Sequence, residues 1–140
     1  MIHVVGPVAA GAAIYLLFRT PHLLVFSWTG AVGMNGMLES ARYAASPVAA
    51  AMPGWLLYSA PDGLWVYALT AAMLAVWRGD PSPGRHPWIA AGLVLGAGGE
   101  LGQLAGAVPG TFDLVDLLLS FAAFAAAVYL VRKPLPSAHT

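Results

Sequence analysis

The chain has 140 residues, 59% hydrophobic and 9% charged, with six basic residues balancing six acidic ones and no cysteine. A water-soluble domain carries about 25% charged residues, so a chain this apolar cannot cover its surface with polar groups and is expected to fold in lipid. Zero net charge without a basic run excludes a nucleic-acid partner, and the lack of cysteine excludes disulfides, thiolate metal sites and thiol nucleophiles.

The apolar runs break at prolines, glycines and charges. The first covers residues 2–18 and closes at "RTPH". No Lys or Arg precedes it, so it reads as a membrane span rather than a secretory leader. Residues 19–60 mix an apolar stretch, "LLVFSWTGAVGM", with "NGMLESARYAASP", where Glu39 and Arg42 stand three apart. A crossing over 23–42 would have to return within 47–58, which is short and carries Pro47 and Pro53. One or two helices lying at the interface or dipping into it are expected; a fifth span is the alternative.

The second span is expected over 61–77, the third over 88–107 and the fourth over 111–131. A bilayer core needs about 20 helical residues, so the first two are short. Continuous apolar runs without alternation exclude a barrel. The fold expected is an all-α integral membrane protein: four transmembrane helices in one domain, with an interfacial or re-entrant helical segment between the first two spans. Arg78, Arg85, Arg132 and Lys133 fall on one side of this arrangement, and Arg19 and Arg42 on the other. The positive-inside rule then gives N-in, C-in topology with 19–60 outside. Trp28, Trp55, Tyr58 and Trp65 would mark the outer interface, and Trp77, Trp88 and Tyr129 the inner one.

Polar residues collect at the outer end. Asp62 opens the second span. Glu100 and Gln103 share a face late in the third, and Asp113 and Asp116 share a face early in the fourth. The short "AVPG" link makes the last two spans a hairpin, so these groups are expected to converge on one external pocket beneath Glu39 and Arg42. Asp62 also fits a capping box opened by Ser59, and Asp113 fits a helix cap. Glu100 lies about six residues inside the expected end of its span, about 9 Å along the axis. An acid at mid-membrane costs about 2.5–3.5 kcal/mol, so Glu100 must be protonated or partnered, and Arg42 is the nearest candidate, with Arg19 the exception. Two glycine ridges, Gly92/Gly96 and Gly98/Gly102/Gly106, suit close helix packing. His3, His22, His86 and His139 all sit at ends or loops, which argues against haem. No nucleophile or phosphate-loop motif occurs, and no cofactor or metal is expected.

The ordered pieces "PDGLW" at 61–65, "ELGQ" at 100–103 and "GTFDLVDLLLSF" at 110–121 resemble the VanZ-like integral membrane proteins. The resemblance covers about residues 55–131 and, loosely, the first span. The chain departs from the family pattern at Gly63, Trp65 and Tyr67, where a lysine and a histidine are usual, at Thr111 for Arg, and at Ser120 for Asn. The resemblance implies a bacterial cell-envelope protein of the inner membrane, in a family whose founding member is associated with teicoplanin resistance. It implies no reaction.

Three functions compete. The first is binding of a lipid headgroup, an envelope precursor or a membrane protein partner at Asp62, Glu100, Gln103, Asp113, Asp116 and Arg42. The second is a membrane enzyme in which Glu100 and Asp113 or Asp116 serve as acid and base on a lipid-linked substrate. The third is a proton or cation pathway, which the absence of acids from the inner half of any span disfavours.

Overall fold

A computed structural model describes residues 1–20 and 24–132 of the chain, so His22, Lys133 and His139 lie outside the described residues. These form seven helices and no strand: α1 Ile2–Phe18, α2 Leu24–Ala31, α3 Asn35–Ala51, α4 Gly54–Tyr58, α5 Ala60–Val76, α6 Arg85–Leu104 and α7 Leu114–Arg132. The segment Leu114–Val131 is long and apolar enough to cross a membrane. Helices α1 and α5 are apolar but have 17 residues each.

The first and second expected spans match α1 and α5 to within a residue. The third does not end where its apolar run ends. Gly106 takes φ 70°, which a residue with a Cβ avoids. It lets the Gly106 N–H donate to the Gln103 carbonyl at 3.0 Å and the Ala107 N–H donate to the Gly102 carbonyl at 2.8 Å. This pair of bonds is a Schellman stop. Val108 folds back over Gly102, where a built Cβ would lie 2.6 Å from its Cγ2. The helix therefore stops at Leu104, and Glu100 sits about one turn from its end rather than six residues in.

The expected interfacial segment is three short helices. Pro47 does not break the chain; it lies inside α3. Pro53 stands at the N-cap of α4. The alternative crossing over 23–42 is not one helix, since the chain breaks between α2 and α3.

Helix α5 is the hub. It packs against α1, α6 and α7 and carries more buried positions than any other helix, among them Val66, Ala68, Thr70, Ala71 and Leu74. On the α1 side, Tyr15 meets Trp65 at 5.5 Å between ring centroids, and His3 Nδ1 lies 2.6 Å from the Tyr67 hydroxyl. On the α6 side, a Cβ at Gly92 would lie 2.9 Å from the Val66 carbonyl and 2.9 Å from Thr70 Oγ1, and a Cβ at Gly96 would lie 2.6 Å from Val66 Cγ2 and 2.8 Å from Ser120 Oγ. The first glycine ridge therefore joins α6 to its neighbours, as small residues do where helices approach closely. The second does not: Gly98 faces open space, Gly102 receives Val108 and Gly106 makes the turn.

These contacts fix the register. Helix α5 runs antiparallel to α6, with Val66 beside Gly96 and Thr70 beside Gly92. Ser120 of α7 joins the Val66/Gly96 level. One turn towards the α6–α7 loop from that level stand Asp62 on α5, Glu100 on α6 and Asp116 on α7.

Candidate functional site

The register places three of the expected acids in one layer. Asp62, Glu100 and Asp116 line a single groove of about 320 Å³ between α5, α6 and α7. Trp65 and Leu69 form one wall, Leu95, Gly96 and Gly99 the other, and Ser120 lies at the base. No basic side chain among the described residues lines the groove.

Each acid arrives there for a local reason. Ser59 occupies the N-cap position of α5, but its side chain makes no cap hydrogen bond and its backbone is already helical. The expected capping box is thus not formed, and the Asp62 carboxyl is left to face the groove. Asp113 does cap α7: its Oδ1 accepts from the Val115 N–H at 2.7 Å, and its carbonyl accepts from the Leu117 N–H at 3.2 Å. In "DLVD" that makes Asp116 the N3 residue, the position from which a capping-box side chain reaches back to the N-cap N–H. Another group has taken that donor. The Asp113 N–H donates to Glu100 Oε2 at 2.8 Å. Glu100, 9% exposed, thereby ties the end of α6 to the start of α7. Asp116 is released from local capping, and its Oδ1 is buried without a hydrogen-bond partner.

Ser120 and Thr70 continue this polar strip below the acids. Ser120 is 2% exposed, and its hydroxyl makes no hydrogen bond among the described residues. Thr70 is fully buried, and its Oγ1 also lacks a partner. Buried hydroxyls are ordinarily paired; of the two, Ser120 lines the groove, while Thr70 is sealed against Gly92.

Three of the six expected site residues stand elsewhere. Gln103 turns to the α6–α7 loop, where its amide presses on Gly110: a Cβ there would lie 2.7 Å from Nε2 and 2.8 Å from Cδ. Asp113 is the cap. Arg42 does not meet the acids. Its guanidinium donates to the Leu16 carbonyl at 2.5 Å and the Arg19 carbonyl at 2.6 Å, and it stacks on Phe26 at 5.1 Å. Helix α1 has no basic residue in its last turn. Arg42 supplies one, meeting the negative end of the helix dipole and its free carbonyls.

Arg19, the other basic residue expected on the outer side, stands on two tyrosine rings. It lies 5.4 Å from the Tyr15 ring and 5.4 Å from the Tyr58 ring. Trp65, expected as an interfacial marker, is instead half-buried between Tyr15 and the groove. Spacing alone pointed to both groove residues that sequence reasoning missed: Trp65 follows Asp62 by three and Ser120 follows Asp116 by four.

Among the described residues no three His, Asp or Glu side chains are placed to hold a metal ion. The groove offers carboxylate acceptors, a hydroxyl and the indole of Trp65, groups that can hold an ammonium by charge, hydrogen bonding and cation–π attraction. No protein-family model, curated protein or solved structure matches the chain.

Proposed function

We propose that the chain is a VanZ-like, multi-pass protein of a bacterial inner membrane. In this reading α1, α5, α6 and α7 cross the bilayer, both ends lie inside, and α2–α4 lie at the outer face. The groove of Asp62, Glu100 and Asp116 binds the cationic group of a lipid headgroup, an envelope precursor or a partner protein. Helix α7 supports the membrane reading, because Leu114, Leu118, Phe121, Tyr129 and Leu130 all lie on its exposed surface. An apolar surface of this kind marks contact with lipid or protein. Arg78 in the α5–α6 loop and Arg85 at the start of α6 support the orientation.

The observation that carries the binding reading is the buried, unpartnered Oδ1 of Asp116, in a groove that two further acids and no base line. Leaving such an acceptor unsatisfied costs about 1–3 kcal/mol. A ligand ammonium recovers that cost, and the Glu100–Asp113 bond keeps the acceptor available.

The test is calorimetric titration of the purified chain, in nonionic detergent at low salt, with ethanolamine and with the uncharged ethylene glycol. Saturable binding of the amine alone is expected, weakened roughly tenfold in Asp116→Asn. Equal response to both compounds would overturn the reading.

A further inference from the structure

Trp65 separates two cavities. On one side is the acidic groove. On the other is an apolar cleft of about 480 Å³ lined by Ala12, Tyr15 and Leu16 of α1, by Leu24 and Trp28 of α2, and by Trp65 itself. Arg19 rests on the ring of Tyr15, which lines the cleft and meets Trp65, shared with the groove, at 5.5 Å between ring centroids. Its guanidinium donates no hydrogen bond among the described residues, so its donors are free for an anion.

We propose that a single zwitterionic phospholipid occupies both cavities, its ammonium among Asp62, Glu100 and Asp116, its phosphate at Arg19, and one hydrocarbon chain in the cleft between α1 and α2. The proposal rests on the cation-binding reading of the groove and names the ligand for it.

Four observations select this occupant. The Ser120 hydroxyl, nearly buried and without a partner, lines the base of the groove and offers an ammonium a fourth oxygen. The charges run in the order a phosphoethanolamine headgroup presents: three acids in the groove, then Arg19 beyond Trp65, on the ring of Tyr15. The Trp65 ring is shared by the groove and the cleft, so headgroup and chain need not leave protein contact between them. Among the described residues the cleft carries no charged side chain and suits hydrocarbon.

Competing ligands leave part of this unused. A free amine leaves Arg19 and the cleft empty. A phosphoglycerol lipid fills the cleft but sets hydroxyls, not a cation, against three carboxylates. An alkylammonium fills groove and cleft but leaves Arg19 unpaired. Gly11 holds Trp65 in place, because a Cβ there would lie 2.6 Å from its Nε1.

The experiment titrates the full chain in nonionic detergent with four probes: dihexanoyl phosphoethanolamine, dihexanoyl phosphoglycerol, dodecylammonium and ethanolamine. The phosphoethanolamine lipid is expected to bind roughly tenfold more tightly than each of the others. Arg19→Gln should reduce it to the level of dodecylammonium. Leu16→Trp, which fills the cleft away from the acids, should weaken the lipid roughly tenfold and leave ethanolamine unchanged, the second result showing that the variant is folded. Ala12→Leu narrows the same cleft by a smaller step and should act in the same direction. If ethanolamine binds as tightly as the lipid, or if phosphoglycerol binds equally well, the lipid proposal falls and the cation site stands. If no amine binds, both fall.

Discussion

The competition between Glu100 and Asp116 for one backbone donor predicts a specific failure of additivity. The perturbation is a double-mutant cycle of Glu100→Ala and Asp116→Ala. In the native chain the Asp113 N–H donates to Glu100 Oε2 at 2.8 Å, a charge-assisted bond of about 1.5–3 kcal/mol. Removing Glu100 frees that N–H. Asp116 already stands at N3 and can complete an ordinary capping box, so most of the bond is replaced. The single variant is then expected to lose about 1 kcal/mol, mainly the packing of a nearly buried side chain. Asp116→Ala alone removes an acceptor that has no donor and should cost less than about 0.5 kcal/mol. The double variant leaves the Asp113 N–H without either acceptor and should cost about 3–4 kcal/mol. The coupling is then about 1.5–3 kcal/mol, roughly ten- to a hundredfold in the unfolding constant. Reversible unfolding in mixed nonionic and dodecyl sulfate micelles, followed by fluorescence of the five tryptophans, reads it. Additivity within about 0.5 kcal/mol would refute the claim that the two acids share this donor.

Three further outcomes follow from the same geometry. Gly92→Ala puts a Cβ 2.9 Å from the Val66 carbonyl, a backbone atom, so α5 and α6 must separate. The same unfolding assay should show a loss of about 1–3 kcal/mol, whereas Gly98→Ala, with open space around it, should gain up to about 1 kcal/mol from helix propensity. Arg42→Gln removes the donors to the Leu16 and Arg19 carbonyls; amide exchange should rise at the end of α1 while ethanolamine affinity stays unchanged, and a fall in affinity would show that Arg42 serves the acids after all. Asp80 is held below its ordinary value of 3.8 by the backbone N–H of Ser82 and then by its hydroxyl. A depressed carboxyl stabilises above its unfolded value and loses that contribution as pH falls through its folded one. The protection of the Ser82 amide, its intrinsic exchange rate at each pH divided by the measured rate, should therefore hold at neutral pH and be lost below pH 3.8, and Asp80→Asn should remove the dependence.

Much of this was legible in the sequence, and each shortfall has a physical cause. "RTPH" marks the end of α1 because the residue before a proline resists the helix. The hairpin was legible in "AVPG". The end of α6 was not, since Ala107 and Val108 extend the apolar run while the chain has already turned at Gly106. Span order and the hairpin brought Asp62, Glu100 and Asp116 towards one end, but the i, i+3 spacing of Glu100 and Gln103 could not say that Gln103 would turn to Gly110. Charge complementarity drew Arg42 towards the acids. The free carbonyls at the end of α1 were the stronger pull, and the signal for them was a helix lacking a basic residue in its own last turn.

The central claim is an acidic groove open to the outer face and unneutralised from within. The chain has no cysteine of its own, so one introduced thiol reports without background. Gly99 lines the groove and has open space for a side chain, which makes Gly99→Cys the probe. In intact cells or oriented vesicles, a membrane-impermeant trimethylammonium methanethiosulfonate should modify this thiol from the outside. It should do so at least roughly tenfold faster than the sulfonate reagent, as a cleft lined by one sign of charge concentrates its counter-ion. Asp62→Asn with Asp116→Asn should abolish the preference. Equal rates for the two reagents, or modification only from the cytoplasmic side, would contradict the account.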